Sequence, residues 1–112
     1  MQTHNLVSVK QGNTYPGAKF TLQTTDLAFN LLGATIVMKL KLAPGQTVKA
    51  VLSTEEDNGK ILITGDYTFE IAAHVVEVPA NTYEYDIKIL FATGLTKTWI
   101  GGTWQILTVI TD

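Results

Sequence analysis

Across residues 82–91 apolar and polar side chains alternate. Tyr83, Tyr85, Ile87, Ile89 and Phe91 fall on one side, Thr82, Glu84, Asp86 and Lys88 on the other, with Leu90 the exception. Successive side chains of a strand point to opposite faces, so the pattern predicts a strand with one buried face and one wet face. Ala92-Thr93-Gly94-Leu95 supplies a turn, with Gly94 able to take positive φ. Residues 96–100 and 103–110 read as further strand, broken at Gly101-Gly102, where a bulge or corner is expected. This C-terminal antiparallel ribbon is expected at the centre of a sheet.

Upstream, similar short runs recur between turn signals. Residues 6–10 form a first strand, ended by Gln11-Gly12-Asn13-Thr14; Tyr15-Pro16-Gly17 is a second turn, Pro16 fixing φ and Gly17 taking the positive-φ position. In residues 19–24 Phe20 and Leu22 face inward. Residues 25–33 are irregular yet hold Leu27, Phe29, Leu31 and Leu32. Such a loop either folds back to plug one end of a sandwich or presents a docking patch.

Residues 34–42 form a strong strand, with Ile36, Met38, Leu40 and Leu42 on one face and Val37, Lys39 and Lys41 on the other. Ala43-Pro44-Gly45 turns the chain into a strand at 48–53, and Asn58-Gly59 signals a hairpin into 60–64, with Ile61 and Ile63 inward. Tyr67, Phe69 and Ile71 make the next inward stripe. Residues 72–78 could form one helical turn, a crossover before Pro79. Turn signals about every ten residues, without sustained helical periodicity, predict an all-β antiparallel sandwich of about seven to nine short strands, one domain over residues 1–112.

Composition narrows the function classes. The 112 residues provide one core. No run of eighteen apolar residues predicts a membrane span, and the N-terminus carries no signal-peptide pattern. Cysteine is absent, which removes disulfides, thiol nucleophiles and thiolate metal ligands and fits synthesis in a reducing cytoplasm. All 8 positive charges are lysines, spread along the chain, and the net charge is −2. Without arginine or a basic stripe, the footprint of a nucleic-acid binder is missing.

Candidate chemistry is sparse. Ser8 and Ser53 lie within expected strands, His4 near the N-terminus and His74 in the crossover, and none sits in a nucleophile motif. Glu55, Glu56 and Asp57 lack the ligand spacing of a calcium loop and read as an acidic turn. Glu84 and Asp86, roughly 7 Å apart on the wet face of one strand, are expected to meet Lys88, Lys39 or Lys41 rather than to catalyse. Trp104 shares a face with Ile106 and Ile110 and belongs to the core. Trp99, beside the glycine pair, is not assigned by parity; exposed, it would anchor an interface before it would stack a sugar. No catalytic residue, metal ligand or cofactor site is expected. The expected interface residues are Leu27, Phe29, Leu31, Leu32 and Trp99.

The order of short motifs resembles a family of small phage structural domains, among them the N-terminal domains of baseplate upper proteins. The resemblance runs through Gly12-Asn13-Thr14-Tyr15, then 32–39 from Leu32-Gly33 into Lys39, then Asn58-Gly59 into Ile61-Leu62-Ile63. Its most specific piece is Tyr83-Glu84-Tyr85-Asp86-Ile87, followed by Gly94, Thr98 and a closing strand from Gly102 to Thr111. Asn13 stands where the family commonly has aspartate, and lysines stand where it often has arginine.

The resemblance covers nearly the whole chain and implies an immunoglobulin-like sandwich without catalysis. The implied role is an adaptor or attachment module of a phage particle, made in the bacterial host cytoplasm and located in the virion. Its partners would be other virion structural proteins in multiple copies set by particle symmetry, with no nucleic acid and no membrane. Attachment at the tail, baseplate or a fibre is the first expectation and capsid decoration the second. A carbohydrate-binding host-adsorption module is the expectation from another class, and a hydrolase with an unrecognised site is a third.

Overall fold

The strand at 82–91 is the spine of the protein. In the computed structural model, which describes residues 2–3, 5–22, 24, 26–42, 47–55 and 59–108, it is β10 (Asn81–Leu90), and its burial alternates residue by residue. It pairs antiparallel with β11 (Thr96–Leu107) on one side and with β5 (Thr35–Lys41) on the other. Beyond β5 lies β6 (Val48–Ser53), and β11 carries on its outer edge β1 (Gln2–Thr3) and β2 (Leu6–Lys10), both parallel to it. The large sheet therefore runs β1/β2, β11, β10, β5, β6.

A second sheet holds β4 (Ala18–Thr21), β8 (Thr68–Ile71) and β7 (Ile61–Ile63), in that order. A short clip pairs β3 (Thr14–Tyr15) with β9 (His74–Val75). The inner faces of both sheets meet in one core, where Phe20, Ile61, Phe69 and Ile71 from the small sheet join Ile36, Met38, Ile87, Ile89 and Trp104 from the large one. This is an all-β sandwich. Among the described residues no helix is long and apolar enough to cross a membrane.

Polar closure is thorough. The Trp104 indole donates to the Val7 carbonyl at 3.1 Å, and the Tyr83 hydroxyl donates to the Pro79 carbonyl at 2.6 Å. Among the described residues no buried side-chain nitrogen or oxygen lacks a partner. Burial raises the pKa of Tyr15 and Tyr83, and burial together with the nearby Tyr15 pushes Tyr85 up to about 12.

Three local expectations are corrected. β11 runs unbroken through Gly101 and Gly102, which sit opposite Asp86 and Tyr85. The register shifts two residues earlier: Ile87 faces Ile100 and Lys88 faces Thr98, leaving Trp99 without a counterpart on β10. The glycines instead leave space, since directly opposed residues share a face and Gly102 sets no side chain against the Tyr85 ring. Second, Asn58-Gly59 does not close a hairpin, because β6 belongs to the large sheet and β7 to the small one. Residues 56–58 lie outside the described residues; Gly59 does have positive φ, +63°. Third, the 72–78 segment is not a helical turn: β9 crosses back to pair with β3, and Val76 is buried.

Candidate docking surface

The apolar loop between β4 and β5 is built on its own side chains. Asp26 Oδ1 accepts from the Ala28 amide at 2.9 Å and starts a single 3-10 turn, Leu27–Phe29. Asn30 Oδ1 accepts from the Leu32 amide at 2.8 Å. Short polar side chains capping the backbone in this way hold a loop in shape without a sheet.

Three further bonds fix the loop across the end of the sandwich. The Leu31 amide donates to the Asp66 carbonyl at 2.7 Å and the Tyr67 hydroxyl to the Asp26 carbonyl at 3.2 Å, both at the turn entering β8. Thr93, in the turn from β10 to β11, donates its hydroxyl to the Ala28 carbonyl at 3.3 Å. The loop is thus tied to both sheets and caps that end of the core.

The capping splits the expected interface residues. Leu31 is 0% exposed and belongs to the core, so it offers no surface. Phe29 and Trp99 are half-buried and packed against the core, each meeting Phe91 edge-on at 5.3 Å and 6.4 Å between ring centroids and each other at 5.7 Å. Leu27 and Leu32 stand 80% and 79% exposed. Leu95, in the neighbouring turn, is also exposed. One end of the molecule therefore carries bare leucines around a partly covered aromatic cluster.

Lys97 completes this end and was not among the expected site residues. Its Nζ lies 5.0 Å from the Trp99 ring centroid and 5.2 Å from that of Phe29. A cation over aromatic faces is attracted by the ring quadrupoles. Its place two residues from Trp99 was the available sequence signal.

The other candidate groups are engaged elsewhere. His74 donates through Nδ1 to the Ala72 carbonyl at 2.7 Å; because a carbonyl only accepts, Nδ1 carries the proton. Its ring lies edge-on to Tyr15 and Trp104. Ser8 donates to Gln105 at 3.4 Å, and Ser53 is buried, its hydroxyl accepting from the Glu55 amide at 3.3 Å. His4 lies outside the described residues. Among those described, no three His, Asp or Glu side chains gather as a metal site. On the outer face of the large sheet, Glu84 faces Lys41 and Asp86 faces Lys39, the opposite-charge pairs expected across strands. Beside them Val37 and Leu90 line an open groove of ≈ 320 Å³.

No protein-family model matches this chain, and no curated protein matches it.

Proposed function

We propose that the chain is a non-enzymatic structural protein of a bacteriophage particle, an adaptor that attaches to neighbouring subunits through the leucine-bearing end. The observation that carries this reading is the pair Leu27 and Leu32, each about four-fifths exposed on a loop hydrogen-bonded to both sheets. Apolar side chains gathered on a rigid frame mark interaction sites, and a frame that needs no reordering loses little entropy on binding. The sequence resemblance to phage structural domains supplies the setting.

The same resemblance leads us to read the sandwich as immunoglobulin-like. Three features support this. The large sheet sets the first strands beside the last, then β10, β5 and β6, while the small sheet holds β4, β8 and β7. The first strands run parallel to the last. Tyr83, near the start of β10, turns its hydroxyl back to a carbonyl four residues upstream, as in a tyrosine corner.

Mass spectrometry of purified particles, with heads and tails separated before digestion, tests the reading. The chain is expected in the tail fraction; recovery with heads would assign it to capsid decoration. Absence from both, with the chain present in infected cells, would overturn the structural role. A carbohydrate-binding role is less favoured, because Lys97 occupies one face of the Trp99 ring where a sugar would stack. Binding on a glycan array would reinstate it.

A further inference from the structure

We propose that the outer face of the large sheet is a two-fold contact between copies of this chain, closed by carboxylates of β10 and ammoniums of β5. The contact is separate from the leucine-bearing end and leaves that end free.

The arrangement of charge on the face carries it. Glu84 and Asp86 stand on the outer side of β10, and their cross-strand neighbours on β5 are Lys41 and Lys39. Lys41 is half-buried and the other three are exposed. Two adjacent rows thus hold a carboxylate on one strand and an ammonium on the other, in the same order. Half a turn about an axis running along the strands, between β10 and β5, leaves every row at its height and exchanges the two strands. Glu84 of one copy then meets Lys41 of the other, and Asp86 meets Lys39, each contact occurring twice. A carboxylate has two oxygens that accept and an ammonium three protons to donate. Each group therefore keeps its neighbour in the chain while taking one across the contact. Matching itself under half a turn is the requirement of a two-fold interface, and networked charges hold where isolated surface pairs do not.

The neighbouring rows agree. Lys88 faces Val37 and Thr98 in its own chain rather than a carboxylate. The rotation lays its aliphatic stem over Val37 of the other copy, in the open groove lined by Val37 and Leu90. β6, with exposed Glu55 just past it, comes over β11 of the other copy. β11 carries no carboxylate, and its one charged residue, Lys97, has its ammonium over the Phe29 and Trp99 rings. Glu55 is therefore set against no charge of its own sign there.

Size sets the strength. Four strands, β11, β10, β5 and β6, are about 19 Å wide at the usual spacing, and the 7 residues of β5 are about 24 Å long. Two such faces bury roughly 900 Å² in total, below the range of stable complexes. The dimer is accordingly weak, reversible and sensitive to salt. Because the axis runs along the strands, both leucine-bearing ends project from the same end of the dimer. A neighbour that engages both gains by bivalency.

Sedimentation of the full chain from about 1 μM to about 1 mM reads this directly. A monomer–dimer equilibrium is expected, with a dissociation constant at least about tenfold higher at about 500 mM salt than at about 20 mM. The pair Lys39→Glu with Lys41→Glu, and the pair Glu84→Lys with Asp86→Lys, are each expected to abolish self-association. Mixed together, the two double variants are expected to form a heterodimer, because every contact is then opposite in sign. Should reversal disturb the circular dichroism spectrum, the neutral pair Lys39→Gln with Lys41→Gln replaces it and is expected to weaken the dimer at least about tenfold. Leu27→Asp is expected to leave the dimer unchanged. A chain that stays monomeric at about 1 mM in low salt overturns the proposal. So does a dimer indifferent to salt and to these lysines, or one abolished by Leu27→Asp.

Discussion

The indole N–H of Trp104 donates to the carbonyl of Val7 across 3.1 Å, joining residues 97 positions apart. The bond fastens β2 to β11 along the edge of the large sheet. Trp104 itself is buried, in ring contact with Tyr15 at 4.9 Å. The same side chain thus fills the core and holds the edge.

Trp104→Phe keeps an aromatic ring but removes this donor and part of the ring volume. The expected loss is about 1–3 kcal/mol. The loss should appear locally as faster amide exchange in residues 6–10, while β10 exchange changes only in proportion to global stability. Uniform acceleration throughout would contradict the edge-fastening role.

Gly17 has φ +94°, and a Cβ there would meet the Ile71 carbonyl oxygen at 2.7 Å and the Ala73 amide nitrogen at 3.3 Å. Gly17→Ala is expected to cost more than the roughly 1–2 kcal/mol of the backbone conformation alone. Gly12, at φ +85°, has open space around its Cβ position. Urea unfolding of Gly12→Ala should therefore show the smaller loss, and equal midpoints for the two variants would refute the contact.

Tyr83→Phe deletes the hydroxyl that meets Pro79 at 2.6 Å. About 1 kcal/mol of stability should go with it, as for an ordinary buried hydrogen bond. Thermal melting of the variant beside Tyr67→Phe, whose hydroxyl meets Asp26 at 3.2 Å on the exposed loop, should show the larger shift for Tyr83.

Tyr85 is held neutral by burial and by Tyr15, with its pKa at about 12 against an ordinary 10.0. The unfolded chain releases this proton first, so unfolding gains free energy as pH rises. Stability from this group is fully present below pH 10 and is lost progressively up to about pH 12, by roughly 2–3 kcal/mol. Tyr15 is shifted in the same direction. Denaturant midpoints measured between pH 9 and pH 12 should fall over that interval, and Tyr85→Phe should flatten the fall.

Trp99→Ala is expected to preserve the fold, because the ring is half-buried at one end of the core. It should lower stability through its lost contacts with Phe29 and Phe91 and weaken incorporation into particles. Failure of the variant to fold would give Trp99 a central structural role.

The sequence made β10 legible because a strand flanked by partners on both sides, with one wet face, writes its burial directly as alternation. The same held for Phe20, Phe69, Ile71 and Trp104, all buried as their parity requires. Parity failed at Trp99 for a definite reason. Counting by twos assumes an uninterrupted ladder, and the extra residue in β11 is Trp99 itself. The glycine pair drew attention to the wrong residues, since glycine in a strand marks either a bulge or a crowded neighbour, here Tyr85. Asn58-Gly59 was similarly ambiguous: a local turn signal does not report whether the next strand joins the same sheet. In the loop, composition identified four apolar residues but not which would plug the core. That division between Leu31 and its neighbours Leu27 and Leu32 depends on the hydrogen bonds to Asp66, Tyr67 and Thr93, all far along the chain.

The parallel pairing of β2 with β11 also sets the order of events during synthesis. β2 emerges from the ribosome before β5, β10 and β11, with Val7 70% exposed even in the finished sheet. Its neighbour in the sheet is β11, translated after all the strands between them. β5 and β6 are adjacent in sequence and can pair early; β2 must wait. Closing so long a loop makes folding slow relative to a sheet of local hairpins. During that interval an unpaired edge is open to strands of other nascent copies, so crowded expression should favour misassembly and a lower level of expression should relieve it.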